Sequence, residues 1–110
     1  MATAKSTMNI QSTNGALRLD PNGDLVASTV RVLRKDILKA VEDAQTPVVL
    51  VLTATKQIDS LGITLVLGLF KSCQNKKLAF SVEGASPDLM RVFKLFNLHK
   101  FFPIAEATRE

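Results

Sequence analysis

Residues Pro47 to Asn75 read PVVLVLTATKQIDSLGITLVLGLFKSCQN, and this stretch decides the fold of the chain. The apolar, β-branched run Val48–Leu52 is typical of a strand that is buried on both faces, as in a parallel sheet. A polar loop follows it, and the proline-free segment from Ser60 to Asn75 has the periodicity of a helix. We therefore predict a strand–loop–helix unit in which Ser60, a favourable N-cap residue, begins the helix.

The helix in this unit is predicted to bury one side and to expose a row of small side chains on the other. At about 100° per residue, its apolar side chains fall on one face, around Leu65 and Leu69. Ser60, Thr64 and Gly68 follow one another at i, i+4 and i+8, so they share the opposite face. Such a row permits another surface to approach closely. The alternative is that these residues lie beneath a neighbouring loop of the same domain.

Strand patterns precede the first predicted helix. Met8–Ser12 alternates apolar and polar residues, Asn14-Gly15 is a strong hairpin-turn dipeptide, and Ala16–Leu19 is a second strand. Leu25 and Val26 are expected to extend this sheet. Residues 1–7 are small and polar, and we expect them to be a frayed start.

The remaining elements alternate between helix and strand. A helix is predicted from Ser28 or Thr29, because apolar residues recur there at spacings of three and four. Leu78–Val82 has the pattern of a further strand. Ser86-Pro87-Asp88 is typical of a helix start, and the apolar stripe that follows comprises Leu89, Val92, Phe93 and Phe96. Leu98 to Ile104 is predicted to contain a turn and a last short strand. The order β-β-α-β-α-β-α-β describes a single α/β domain over residues 1–110 with a mixed central β-sheet.

Composition restricts the classes of function. The formal charge of +4 is spread along the chain and there is no tryptophan or tyrosine, so direct nucleic-acid binding is not expected. We assign the positive residues, among them Arg31, Arg34, Lys35 and Lys39, to a solvated surface; the alternative is an acidic protein partner. Cys73 is the only cysteine, which excludes an intramolecular disulfide and favours a cytoplasmic location. No signal-peptide pattern begins the chain, and no apolar run reaches the roughly 18–20 residues that span a bilayer. Membrane insertion is therefore not expected.

Catalytic and metal-binding patterns are missing from the sequence. The single histidine, His99, is far in sequence from any candidate nucleophile, and no metal-ligand spacing or phosphate-binding glycine loop occurs. We expect no enzymatic activity, no metal and no cofactor. What remains is Asp59-Ser60 at a helix start, where a phosphate on Ser60 would meet unpaired backbone N–H groups. The alternative is that Ser60 is only a helix cap.

Three segments, in order, resemble the STAS domain of bacterial anti-sigma factor antagonists. The central segment Val48–Lys71 contains IDSLGITLVLGLFK and is similar to the family's buried strand, Asp-Ser-x-Gly motif and helix. Pro21–Leu25 is similar to its early loop, and Ser86–Ile104 to its last helix and closing strand. The resemblance extends from about Met8 to Ile104 without large insertions.

By this resemblance, Ser60 is the expected phosphorylation site, Asp59 its preceding acid and Gly62 the motif glycine. The residues that we expect to contact a partner are Asp24, Asp59, Ser60, Leu61, Gly62, Thr64, Gly68 and Lys71. One departure from the family pattern is Val26, which replaces an acid of the early loop that assists phosphorylation. Another is Leu61, which replaces a smaller residue.

The resemblance implies an anti-sigma factor antagonist that works by partner switching. The unphosphorylated domain would bind a serine-kinase anti-sigma factor of the histidine-kinase-like ATPase fold, and phosphorylation of Ser60 would release it. A metal-dependent serine phosphatase would reset the switch. One alternative is a STAS subunit that regulates the ATPase of a membrane transporter, with Ser60 as a cap and contact residue. A second is an α/β module that binds a small ligand or nucleotide, against which the missing glycine loops argue.

Overall fold

The computed structural model describes residues 8–107 and contains the eight predicted elements in the predicted order. The expected frayed start at residues 1–7 lies outside the described residues. In chain order the elements are β1 (Asn9–Thr13), β2 (Ala16–Asp20), α1 (Ala27–Asp43), β3 (Val48–Val51), α2 (Ser60–Asn75), β4 (Phe80–Ala85), α3 (Pro87–Leu95), a 3-10 turn (Leu98–Lys100) and β5 (Ile104–Glu106).

The five strands form one mixed sheet in the order β1-β2-β3-β4-β5, which confirms the predicted fold class. β1 is antiparallel to β2, and the other neighbours are parallel. Leu50, in the central strand β3, pairs with Leu19 on one side and Val82 on the other, and all three are buried. The β1–β2 turn uses Asn14 and Gly15 at φ 54° and 76°, the left-handed conformation that this dipeptide favours. Leu25 and Val26 are expected to extend the sheet beyond β2. In the structure this extension is a single parallel bridge between Leu25 and Ile58.

Charged residues on either side of α2 bond to the two ends of α1. Beyond the C-terminus of α2, Lys76 Nζ donates to the carbonyl oxygens of Val41, Glu42 and Ala44 at 2.5–3.1 Å. Val41 and Glu42 lie in the last turn of α1 and Ala44 is its C-cap, so the ammonium stabilises the negative end of α1. Asp59, before α2, bonds to the first N–H of α1. The two helices therefore run side by side in the same direction.

The strand after α2 begins two residues later than predicted. Lys77 adopts φ 61°, and the N–H of Leu78 donates to the carbonyl oxygen of Cys73 at 2.8 Å. These contacts, with Lys77 N–H bonded to Gln74, form a Schellman end to the helix. Leu78 is therefore part of the helix stop, and β4 begins at Phe80.

Helix α3 begins as predicted but ends before its last predicted apolar residue. Ser86 Oγ accepts from the N–H of Leu89 at 3.2 Å, and proline occupies the first turn. The prediction that Phe96 belongs to the buried stripe is wrong, because its side chain is 53% exposed. The helix ends at Leu95, and Asn97 at φ 60° turns the chain away. Leu98 and Phe102 instead fill the core beyond the helix.

Candidate functional site

Ser60 is the first residue of α2 and is not its N-cap, so that part of the prediction is wrong. The N-cap is Asp59, whose backbone is extended and whose Oδ1 accepts from the N–H of Gly62 at 3.0 Å. Asp59 therefore already supplies the acceptor that we expected from the serine. Ser60 is exposed, and its hydroxyl bonds to no group within residues 8–107. Its hydroxyl is therefore accessible at the surface of the described chain.

The carboxylate of Asp59 joins the N-termini of two helices. While Oδ1 binds Gly62, Oδ2 accepts from the N–H of Ala27, the first residue of α1, at 2.8 Å. α1 needs this outside acceptor because its own N-cap residue is Val26, which has no polar side chain. The N–H of Gly62 and then that of Ala27 lower the pKa of Asp59, because hydrogen bonds stabilise its charged form. A partner contact by Asp59 stays a prediction.

Gly62 allows α2 to approach the early loop. A Cβ atom at this position would lie 2.2 Å from the carbonyl oxygen of Leu25 and 2.6 Å from Cγ1 of Ile58. Leu25 and Ile58 form the isolated bridge between the two loops, and the N–H of Asp59 donates to Leu25 at 3.2 Å. Gly62 is buried, so its observed contribution is this close backbone contact. Its predicted contact with a partner remains untested.

Asp24 fixes the loop that precedes Ser60. Its Oδ1 accepts from the N–H groups of Lys56 and Gln57 at 2.8 and 3.1 Å. The hydroxyl of Thr55 donates to the carbonyl oxygen of Gly23 at 2.6 Å, which adds a second connection between the same loops. Asp24 therefore holds the loop before α2 in place, whereas its contact with a partner remains a prediction.

The row of small side chains on α2 faces outward. Ser60 and Thr64 are exposed, and a Cβ atom at Gly68 would meet no heavy atom of residues 8–107 within 4 Å. This open space excludes the alternative that Gly68 lies beneath a neighbouring loop of the described chain. Leu61, 43% exposed, and Lys71 are also exposed on this helix, and their predicted contacts with a partner stay predictions. The small residues provide a smooth surface that begins at the Ser60 hydroxyl.

A groove of about 550 Å³ separates α2 from α1 beside this row. We call it the α1–α2 groove; its lining residues are Val30, Arg31, Arg34, Leu38, Leu61, Thr64, Leu65 and Gly68. Three residues of the predicted docking face, Leu61, Thr64 and Gly68, line it. The sequence analysis assigned Arg31 and Arg34 to a solvated surface, with an acidic protein partner as the alternative, and did not place them beside α2. Their i, i+3 spacing placed them on one side of α1, but only the packing of the two helices brings that side next to α2.

Within residues 8–107 there is no group of three or more histidine, cysteine or acidic residues that could hold a metal ion. Cys73 is fully buried on the inner side of α2, and burial raises the pKa of its thiol to about 11. None of the described helices is both long enough and apolar enough to cross a bilayer.

A family model described as the STAS domain matches residues 7–110. The chain belongs to the STAS domain family. This confirms the resemblance that the Asp-Ser-x-Gly segment indicated. A comparison with curated protein sequences finds no match.

Solved STAS-like structures share the fold of this chain. An anti-sigma-factor antagonist domain protein from Planctomyces limnophilus has a TM-score of 0.82 at 16% identity, covering 92% of this chain and 91% of that one. The Bacillus cell fate determinant SpoIIAA in its phosphorylated form has a TM-score of 0.71 at 22% identity, with coverages of 94% and 93%. A sulfate transporter family protein from Wolinella succinogenes has a TM-score of 0.73 at 17% identity, with coverages of 84% and 78%. At these identities the likeness establishes the fold alone.

Proposed function

We propose that this STAS domain is an anti-sigma factor antagonist whose binding is switched by phosphorylation of Ser60. The observation that carries the proposal is the free, exposed hydroxyl of Ser60 at the first position of α2, beside the smooth surface of Thr64 and Gly68. A reactive group at the edge of a docking surface can end docking when it is modified. The domain itself would act as ligand and substrate, in the cytoplasm.

The partner in this proposal is an anti-sigma factor that is also a serine kinase of the histidine-kinase-like ATPase fold. Its ATP supplies the phosphoryl group: Ser60 Oγ forms a bond to the γ-phosphorus, the bond from that phosphorus to the β–γ bridging oxygen breaks, and ADP leaves. The hydroxyl proton passes to a base or to solvent. A metal-dependent serine phosphatase then hydrolyses the phosphoserine and restores the binding form.

We expect the domain to stay folded when Ser60 carries a phosphate. We expect the complex with the partner, in contrast, to dissociate. At the first position of α2 the phosphate lies near the positive end of the helix dipole, which favours negative charge. The same group adds about −1.5 to −2 charges at pH 7. This charge and its bulk enter the edge of the surface on which the partner would sit, so the bound state would lose contacts and bear a desolvation cost.

Labelling by the kinase tests the proposal. We would incubate the chain with the histidine-kinase-like ATPase encoded nearest to its gene and with γ-labelled ATP, and compare wild type with Ser60→Ala. Label on wild type that is absent from Ser60→Ala supports the proposal. Equal label on both variants would show that another hydroxyl is used, with Thr64 and Ser72 the next candidates. No label on either protein, together with copurification with a transporter ATPase, would favour the transporter-subunit function.

A further inference from the structure

The α1–α2 groove combines an apolar floor with positive charge on one wall. Val30 and Leu65 are buried at its base, and Arg31 and Arg34 are the charged residues within 8–107 that line it. Neither arginine forms an ion pair or a hydrogen bond with any group of residues 8–107. The groove therefore presents two cations beside apolar surface, with no carboxylate among its lining residues.

The positive charge continues outward along α1. A second hollow of about 530 Å³ shares both arginines with the groove and is also lined by Lys35, Lys39 and Glu42. Lys35 is exposed and has no ion-pair partner among the described residues. Lys39 lies 3.7 Å from Asp43, and this exposed pair leaves the lysine largely solvated. One side of the groove is thus bordered by a row of cations that the described chain leaves mostly uncompensated.

The length of the groove matches two turns of a helix. Its lining residues span Val30 to Leu38 on α1 and Leu61 to Gly68 on α2. At 1.5 Å per residue these spans are about 12 and 10 Å long. Helices that dock into grooves use apolar anchors at i, i+3 or i+4 and i+7, which cover about the same distance.

We propose that the partner inserts an acidic amphipathic helix into the α1–α2 groove. The inference rests on the proposed function, because it names the element of the partner that the switch controls. The apolar side of that helix packs on Leu38 and Leu61, which stay partly exposed above the buried Val30 and Leu65. Gly68 leaves room for it. Its acidic flank faces Arg31 and Arg34, whose planar guanidinium groups form paired hydrogen bonds with carboxylates.

Two other anionic partners fit the groove less well. Single-stranded nucleic acid binds through aromatic side chains on which its bases stack, and no aromatic residue lines this groove. A lipid surface contacts several protruding apolar residues. Among the apolar residues that line the groove, Val30 and Leu65 are buried and Leu38 is half-buried, so Leu61 alone is exposed. An acidic amphipathic helix can cover the apolar floor with one side and pair with the cations through the other.

Two synthetic peptides test this inference without the partner. Both are 18-residue amphipathic helices with the same leucine face; one carries glutamate on its flanks and the other carries lysine. We expect the acidic peptide to bind at least tenfold more tightly than the basic one. Its addition should shift the amide NMR signals of Leu38, Thr64 and Gly68. Its affinity should fall as salt is raised, since exposed charge pairs are screened.

A pair of charge-matched variants locates the binding. Arg31→Glu/Arg34→Glu should lower the affinity for the acidic peptide at least tenfold, and Lys94→Glu/Lys100→Glu, on exposed sites elsewhere, should not. Circular dichroism establishes that both variants are folded. Equal affinity for the two peptides, amide shifts away from the groove, or an equal loss in both variants would overturn the inference. So would tighter binding at α1 of a single-stranded oligonucleotide or of phosphatidylglycerol vesicles.

The two proposals fail in different ways. If the kinase labels Ser60 but the acidic peptide does not bind, the docking inference fails and the proposed switch stands. If the peptide binds the groove but no kinase labels Ser60, the phosphorylation switch fails while the groove remains a site for acidic helices.

Discussion

Oδ2 of Asp59 accepts a hydrogen bond from the backbone N–H of Ala27 at 2.8 Å, across 32 positions of sequence. Through this bond and the one to Gly62, a single carboxylate holds the beginnings of α1 and α2 together. At the other end, Lys76 binds the last carbonyl oxygens of α1. The walls of the α1–α2 groove are thus connected at both ends, so the surface beside Ser60 would already have its shape before the docking that we propose.

Replacing Asp59 with asparagine should lower the urea midpoint of unfolding at pH 7. The amide oxygen can still accept from one N–H, but its NH₂ group cannot accept from the other. Because the pKa of Asp59 in the folded chain is lowered below the usual value of about 3.9, the stabilisation is complete above that pH. It is lost as the pH falls through the folded-state pKa.

The difference in midpoint between wild type and Asp59→Asn should therefore shrink below about pH 4. Urea titrations at several values between pH 7 and pH 2.5 would measure it. Asp36→Asn removes an exposed carboxylate from the middle of α1 that forms no ion pair within residues 8–107, and it is the control for general charge effects. A difference that does not change with pH would show that the charge of Asp59 is unimportant.

Alanine should have opposite effects at the two glycines of α2. Gly62→Ala should destabilise the fold by on the order of 2 kcal/mol, because the new Cβ would meet the backbone oxygen of Leu25 at 2.2 Å. Gly68→Ala should stabilise it by up to about 1 kcal/mol, since the position is open and alanine is a better helix former. Chemical denaturation of both variants measures the two effects. Similar free energies of unfolding for the two would contradict the packing at Gly62.

Lysine at position 68 should prevent docking without unfolding the domain. A long charged side chain would occupy the open space beside Thr64, while the helix gains a better helix-forming residue. We expect the affinity for the kinase to fall at least tenfold and the thermal midpoint to stay the same or rise. Calorimetric titration and circular dichroism would be run on Gly68→Lys and on Gly68→Ala. Full affinity in Gly68→Lys would exclude this face of α2 from the interface.

Aspartate at position 60 should reproduce the effect of phosphorylation on binding. We expect Ser60→Asp to bind the kinase more than tenfold more weakly, a loss of more than about 1.4 kcal/mol. The fold should be intact, because an acidic side chain in the first turn of a helix is favourable. Ser60→Asn introduces a side chain of nearly the same shape as aspartate but without its charge. The same titrations on this variant separate the effect of bulk from the effect of charge. Unchanged affinity in folded Ser60→Asp would remove Ser60 from the switch.

An acid at position 26 should speed phosphorylation of Ser60. Val26 precedes Ala27, whose N–H bonds to Asp59, so the side chain at position 26 lies near the start of α2. An anionic group there would help to orient the hydroxyl or the metal bound to ATP. Single-turnover labelling at saturating kinase should be faster for Val26→Asp than for wild type. Val26→Asn has a similar shape without the charge, and equal rates for the two variants would assign the gain to capping of α1.

Interactions between residues close in sequence made much of the fold predictable. The apolar run of β3, the Asn14-Gly15 turn and the Ser86 cap each depend on contacts within a few positions, and each occurs as predicted. The buried and exposed sides of α2 followed from its 3.6-residue period in the same way. The family was recognisable because the Asp59-Ser60 motif lies directly between a buried strand and a helix.

Tertiary structure decided which residue caps α2 and what lies beside it. Aspartate and serine are both good N-caps, so the sequence alone does not show that Asp59 caps α2 and that Ser60 follows it. The choice depends on where the early loop places the N–H of Ala27, which also bonds to Asp59. The exposure of Phe96 likewise depends on where the chain turns after α3, which leaves Leu98 and Phe102 buried and Phe96 outside the core. The α1–α2 groove exists only because two crossovers set the helices side by side. Hydrogen bonds and packing between residues more than 30 positions apart depend on how distant elements are placed. A local sequence pattern does not specify that placement.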